Sequence, residues 1–189
     1  MRTGQPTTSF IQRHPIYSLA QDWDLNFPDQ ARIDVLDVTD LQYSYRISSI
    51  FRMPVEDIRD YVAQSPHIWT HSPICKRSGE LLRLCDKKVY IIRDPRDRAL
   101  SAARYYTSPY MLKYFPQEVK EPVRFLKENF DQLMLEWVWH VFDHLRLSRE
   151  YAIHICYYEG FLLDFQPDLA RLLDYLEVDL DEGERQELE

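Results

Sequence analysis

The chain has 189 residues, of which 45% are hydrophobic, 14% are aromatic and only 4 are glycine, a composition typical of one packed globular domain. Its formal net charge of −8 argues against a general nucleic-acid binder, because nonspecific affinity for phosphates needs a broad basic surface. The 3 cysteines contain no CxxC pair and favour a reducing, cytoplasmic compartment, and no apolar run approaches the roughly 18 residues that span a bilayer.

Apolar, β-branched and aromatic runs predict buried strands at 67–70, 88–93 and 151–158. Helical patterns lie between and after them, at 55–64, 76–84, 95–106, 122–129, 130–148, 166–177 and 181–188. The first 45 residues predict one strand and one or two helices. Strands and helices alternating at this spacing favour an α/β fold with parallel strands. No linker rich in Gly, Ser or Pro interrupts the chain, so we predict a single domain over residues 1–189.

The segment KKVYIIRDPRDRALSAARYY, residues 87–106, has a local charge of +4 in an acidic chain. Asp94 is predicted to cap a helix whose first residue is Pro95, so the strand leads directly into that helix. In a parallel sheet this turn lies at the carboxyl edge, where α/β folds bind ligands. Arg93 leaves the strand there, and Ser101 lies on the polar stripe of the helix. The residues alone leave two interpretations open, a solvated helix face and an anion site.

The order Arg93, Asp94-Pro95-Arg96-Asp97 and Ser101 resembles the nucleotide-binding segment of the sulfotransferases that use 3′-phosphoadenosine 5′-phosphosulfate (PAPS). In that family a strand ends in Arg, and a Ser eight residues later helps it to hold the 3′-phosphate, the same interval as here. The resemblance implies that Arg93 and Ser101 bind this phosphate. Arginine suits the task because its planar guanidinium makes bidentate contacts with phosphate oxygens.

Three further segments resemble motifs of the same family, in the same order. WTHSP (69–73) resembles the Lys-Thr-His-(Leu/Ser)-Pro motif, which implies that His71 is the catalytic base. Trp137 with His140-Val141 resembles the Trp-x-x-His-Val helix. CYYEG (156–160) resembles the strand-end Tyr-Glu-Asp motif, which implies that Tyr158 contacts the adenine.

The resemblance implies a three-layer, P-loop-NTPase-like fold with a central parallel sheet flanked by helices. It also implies transfer of a sulfuryl group from PAPS to a hydroxyl or amine of a small-molecule acceptor, without a metal. We expect no nucleic-acid partner and no membrane span, and the sequence leaves the acceptor and the oligomeric state open.

The two ends depart from the family pattern. In the family a Pro-(Lys/Arg)-(Ser/Thr)-Gly-x-Thr loop holds the 5′-phosphosulfate, and the candidate here is MRTGQPTTSF (1–10). It implies that Arg2 stabilises the leaving oxygen and that Thr3, Gly4 and Thr7 contact the cofactor, while a frayed terminus is the other interpretation. Trp69 stands where the family often has Lys.

At the other end the last 12 residues carry a charge of −5, whereas the family has a basic, Gly-containing segment. We therefore expect a domain that is incomplete at its C-terminus. This expectation keeps an alternative open, a catalytically impaired, sulfotransferase-like nucleotide-binding protein.

Other sites fit the sequence less well. His140 and His144 lie four residues apart on a predicted helix, but no third metal ligand accompanies them. The GxxxxGK[ST] motif of nucleotide kinases is absent. His154, Cys75 and Cys85 are interpreted as packing residues.

Overall fold

The computed structural model describes residues 10–15, 18, 34–47, 51–181 and 183–184. The described residues form two compact units, which divide between Asp86 and Lys87. The helices and strands follow in the order α1 (Phe10–Arg13), β1 (Asp34–Val38), β2 (Tyr43–Ile47), β3 (Phe51–Val55), α2 (Ile58–Gln64), β4 (Ile68–Trp69), α3 (Ser78–Leu84), β5 (Lys88–Ile92), α4 (Pro95–Tyr106), α5 (Pro109–Tyr114), α6 (Pro122–Leu147), β6 (Ile153–Tyr157), α7 (Tyr158–Leu163) and α8 (Phe165–Leu176).

The first unit contains a four-stranded mixed sheet in the order β3-β2-β1-β4. β1 and β2 are antiparallel because a tight turn joins them, in which the Thr39 N–H donates to the Gln42 carbonyl at 3.1 Å. The Thr39 hydroxyl accepts hydrogen bonds from the Leu41 and Gln42 N–H groups, which further fixes this turn. β3 is antiparallel to β2, whereas β4 is parallel to β1. The carboxyl ends of β1 and β4 therefore meet at one edge of the sheet.

Aromatic side chains dominate the core of the first unit. Tyr45 and Tyr61 are buried, with ring centroids 6.1 Å apart, and Phe10 packs against both rings. Tilted ring pairs of this kind add to the stabilisation gained by burying apolar area. The other buried members of the cluster come from β1, β2, α2 and α3, and are Leu36, Val38, Tyr43, Ile58 and Leu81.

The second unit contains the parallel pair β5 and β6. Lys88 lies opposite Ile153 and Ile92 opposite Tyr157. The connection between the two strands contains α4, α5 and α6, because parallel strands require a long crossover. Both strands end at the same edge, so the residues that follow them are neighbours.

Helix α6 is one continuous helix of 26 residues. Its N-cap is Glu121, whose carboxylate accepts the Val123 N–H at 2.9 Å and the Arg124 N–H at 2.6 Å. It packs against α4, whose Ala99 and Ala103 are buried. The small alanines allow the two helices to approach closely.

The structure corrects several predicted elements. The predicted helices 122–129 and 130–148 are one helix, because neither Gly nor Pro occurs between Pro122 and Leu147. Helices α5 and α7 were not predicted, and neither were β2 and β3 of the amino-terminal hairpins. The mixture of helices and strands is confirmed, but the described residues form two small sheets and no central parallel sheet.

Candidate functional site

Arg93 and Tyr158 meet at the carboxyl edge of the β5–β6 pair. Each residue directly follows its strand, and Ile92 lies opposite Tyr157 in the ladder. The Arg93 guanidinium carbon lies 4.6 Å from the centroid of the Tyr158 ring. This is a cation–π contact, which supports the guanidinium from one side. The structure thus brings together two of the residues that the sequence assigned to nucleotide binding.

The Nε atom of Arg93 is buried and has no hydrogen-bond partner in the part of the chain that the structure describes. Leaving a buried donor unsatisfied costs about 1–3 kcal/mol, and more when the group is charged. Native proteins rarely keep such an atom without a reason. The guanidinium of Arg93, which is only partly buried, therefore has hydrogen-bonding capacity that the described residues do not use up.

The turn after β5 forms as predicted. The Asp94 carboxylate caps α4 by accepting the Arg96 N–H at 2.8 Å, and Pro95 occupies the first turn. The Arg96 guanidinium donates back to the same carboxylate at 2.9 Å and 2.6 Å. These side-chain hydrogen bonds lower the pKa of Asp94 to about 2, so the cap is ionised at neutral pH.

Two distant side chains contact the peptide unit between Arg93 and Asp94. The Trp137 indole N–H of α6 donates to the Arg93 carbonyl at 2.9 Å. The Asp94 N–H donates to the Glu159 carboxylate of α7 at 2.8 Å. Trp137 and Glu159 belong to two of the sequence motifs, but the sequence predicts no contact for either residue. Two features of the sequence could have indicated that these residues have a role. Trp137 lies in a helix rich in aromatic residues, and Glu159 is the second residue after a strand.

Ser101 lies on the exposed face of α4. Its hydroxyl has no hydrogen-bond partner among the described residues, which leaves it available to a ligand. Ala99 and Ala103 of the same helix are buried, whereas Leu100 is 44% exposed.

Ion pairs neutralise half of the basic residues in segment 87–106. Lys87 pairs with Glu177 at 2.5 Å, and Arg96 pairs with Asp94 at 2.6 Å. Arg98 contacts Glu136 at 3.5 Å. The local positive charge is therefore smaller than the sequence count suggests. Arg93 differs from these three because it has no carboxylate partner among the described residues.

His71 lies in the first unit, in the segment that follows β4. The Ser72 hydroxyl accepts the Val38 N–H at 2.8 Å, which fixes this segment at the carboxyl end of β1. Partial desolvation lowers the pKa of His71 below its ordinary value, and the nearby Arg46 guanidinium lowers it further, while Asp37 opposes them. A lowered pKa keeps the imidazole neutral at neutral pH and able to accept a proton.

His140, His144 and His154 have structural contacts. Tyr90 of β5 stacks on His144, with ring centroids 4.0 Å apart, and its hydroxyl lies 2.8 Å from His140 Nδ1. His144 Nδ1 lies 2.7 Å from the His140 carbonyl. These contacts explain the four-residue spacing of the two histidines without a metal. His154 stacks on Tyr175, with centroids 4.6 Å apart.

A cleft of about 520 Å³ lies in the first unit, lined by residues 41–43 and 54–59 with Arg77 and Glu80. It contains none of the site residues predicted from the sequence. The Tyr43 hydroxyl at this cleft donates to the Arg77 carbonyl at 2.8 Å and lies 3.1 Å from the Glu80 carboxylate. Burial, with Glu80 adding to it, raises the pKa of Tyr43 to about 12. The cleft is an additional feature that the sequence did not predict.

The predicted contacts of the amino-terminal loop, Arg2, Thr3, Gly4 and Thr7, lie outside the described residues.

Among the helices that the structure describes, none combines the length and the apolar character of a membrane span.

The family model described as "Sulfotransferase domain" matches residues 9–189 of the chain. The match begins after Arg2, Thr3, Gly4 and Thr7 and includes His71, Arg93, Ser101 and Tyr158. Comparison with curated proteins and with solved structures gave no significant match. The family match covers nearly the whole chain, and the motifs at 69–73, 93–101, 137–141 and 156–160 lie within it. The chain therefore belongs to the sulfotransferase family.

Proposed function

We propose that this protein transfers the sulfuryl group of PAPS to a hydroxyl or amine of a small acceptor. Family membership supports sulfuryl transfer in general and implies a P-loop-like α/β fold. The observation that carries the choice of donor is the buried, unsatisfied Nε of Arg93 at the carboxyl edge of β5 and β6.

Arg93 and Ser101 are the proposed ligands of the 3′-phosphate. Arg93 is only partly buried, so a phosphate can accept hydrogen bonds from the accessible part of its guanidinium. Charge-assisted hydrogen bonds to phosphate are about twice as strong as neutral ones. The exposed Ser101 hydroxyl adds a neutral donor from the adjacent helix. The residues present thus fit a phosphate monoester.

Tyr158 is the proposed contact for adenine. Its side chain is 37% exposed while its ring supports the Arg93 guanidinium. An aromatic ring with exposed surface offers a base a stacking partner at low entropic cost. One side chain would then contribute to both the phosphate and the base contacts.

His71 is the proposed general base. When PAPS is bound, it supplies a sulfuryl group whose bond to phosphate oxygen breaks as the acceptor oxygen or nitrogen bonds to sulfur. The acceptor must lose a proton in this step, and His71, neutral at neutral pH, would take it. Arg2, Thr3, Gly4 and Thr7 remain the proposed contacts of the 5′-phosphosulfate.

The decisive experiment is calorimetric titration of the full chain with 3′-phosphoadenosine 5′-phosphate, the nucleotide product. We expect binding by the wild type and a loss of affinity on the order of 100-fold in Arg93→Ala, because a buried charge contact is removed. Lys87→Ala is the matched control, since it removes one positive charge from the amino end of β5, where Lys87 pairs with Glu177. Its affinity should stay near that of the wild type.

Transfer of label from ³⁵S-labelled PAPS to an acceptor mixture tests the reaction itself. Nucleotide binding without turnover would support the alternative of a catalytically impaired binding protein, which the family match does not favour. Absence of both binding and turnover would contradict the proposed function.

A further inference from the structure

The peptide unit between Arg93 and Asp94 is held at both of its polar ends. Its carbonyl accepts the Trp137 indole N–H at 2.9 Å, and its N–H donates to Glu159 Oε1 at 2.8 Å. The two partners belong to different helices, α6 and α7. Both contacts are long-range, with separations of 44 and 65 residues along the chain.

A peptide unit is planar, so fixing its oxygen and its N–H fixes the orientation of the whole plane. That orientation sets the ψ angle of Arg93 and the φ angle of Asp94. It therefore determines the direction in which the Arg93 side chain leaves the strand and meets the Tyr158 ring, 4.6 Å from the guanidinium carbon.

The position of Glu159 is itself fixed. It immediately follows Tyr158, and Gly160 comes next at a place where a Cβ atom would collide with the Asp168 carboxylate of α8. The turn that carries Glu159 is thus packed closely against α8. A carboxylate next to an anion site opposes anion binding by charge repulsion, so its presence needs a compensating role.

We propose that Trp137 and Glu159 are positioning residues, which hold the peptide unit between Arg93 and Asp94 and thereby aim the Arg93 guanidinium at its anion. This inference rests on the proposed nucleotide site. In this inference Glu159 accepts the hydrogen bond of the Asp94 N–H. That role requires an acceptor oxygen but does not require a negative charge.

The test compares two Glu159 variants by titration of the full chain with 3′-phosphoadenosine 5′-phosphate. Glu159→Ala removes the acceptor, and we expect affinity to fall roughly tenfold, the effect of losing one charge-assisted hydrogen bond. Glu159→Gln keeps an acceptor oxygen and removes the charge, so its affinity should equal or exceed that of the wild type.

Trp137→Phe keeps the ring and removes the indole N–H, and it should weaken binding by a similar factor. Trp139→Phe is the matched control, because Trp139 lies on the same helix and is 58% exposed. In the background of Arg93→Ala, neither Glu159→Ala nor Trp137→Phe should weaken binding further, because both act through Arg93.

The outcomes separate the competing explanations. Tighter binding in both Glu159 variants would show that the residue only repels the anion, and unchanged affinity in Glu159→Ala, even with a lower Tm, would show a purely structural role. Either result would overturn this inference. The proposed function would still stand in both cases, because the wild type binds the nucleotide product. No binding by the wild type would contradict the proposed function and overturn the inference with it.

Discussion

At the scale of single residues, the Arg93 side chain combines a destabilising buried atom with contacts that hold the side chain in place. The Arg93 Nε atom is desolvated without a protein partner among the described residues, while the Tyr158 ring and the held peptide fix the side chain. Such an arrangement lowers stability in the absence of ligand and lowers the entropic cost of binding. It is expected at a binding site and not in a packing region.

His71 should determine the pH dependence of turnover. The pKa of His71 is lowered, so the base stays neutral until the pH falls below about 6.5, the ordinary value for histidine. We expect the acid limb of the kcat/KM profile to have its midpoint below that value. His71→Ala should reduce kcat by about 100- to 10,000-fold, the usual contribution of a general base.

The matched control for this prediction is His67→Ala, since His67 lies directly before β4 and is exposed. It should leave kcat and its pH profile unchanged. Titration of His71→Ala with the nucleotide product should still show binding, because the proposed phosphate ligands are untouched. A His71→Ala variant with wild-type turnover would refute the assignment of the base.

At the scale of elements, α6 is attached to β5 through aromatic and imidazole rings. Tyr90 stacks on His144 at an interplanar angle of 8°, and the Trp137 indole N–H donates to the Arg93 carbonyl. The same helix thus contacts both the middle and the carboxyl end of the strand. Loosening this contact would disturb the position of Arg93 as well as the core.

Acid should weaken the attachment of α6 through His144. Burial lowers the pKa of His144, whereas the hydrogen bond to the His140 carbonyl and the nearby Asp143 oppose this shift. As the pH falls below about 6.5, the unfolded chain binds a proton at His144 before the folded chain does, so stability decreases.

We expect the free energy of unfolding in urea to fall between about pH 7.5 and about pH 5.5, and to fall less in His144→Phe. Phenylalanine keeps a ring against Tyr90 but does not titrate. His67→Gln, a change at an exposed histidine, should keep the wild-type dependence. An equal loss of stability in wild type and His144→Phe would rule out this role.

At the scale of the whole molecule, the chain contains two compact units, while the sequence predicts one domain over residues 1–189. The family match runs from residue 9 to residue 189 and so includes residues of both units. A single domain therefore remains our prediction, and cooperative unfolding is its measurable consequence.

Tryptophan fluorescence can report on each unit separately. Trp69 lies in the first unit, and Trp137 and Trp139 lie in the second. In one variant all tryptophans except Trp69 are replaced by Phe, and in another only Trp137 and Trp139 remain. Within each variant, the urea midpoints from fluorescence and from circular dichroism should coincide. Separated midpoints would show two independently folding domains.

Much of the local structure could be predicted from the sequence. The Asp94-Pro95 cap, the strand before it and the exposed position of Ser101 follow from rules that act over a few neighbouring residues. The order of motifs likewise identified the family, because motif residues are read directly from the chain. The resemblance to the family also indicated Arg93, Ser101, His71 and Tyr158 as candidates, and their roles remain predictions.

Only the tertiary structure decided which groups meet. The direction of β1, β2 and β3 depends on a turn at Thr39 and on pairing across the sheet, which periodicity does not encode. The contacts of Trp137 and Glu159 with one peptide unit join residues 44 and 65 positions apart. Such contacts depend on how helices pack on strands, and local sequence preferences carry no information about partners at that distance.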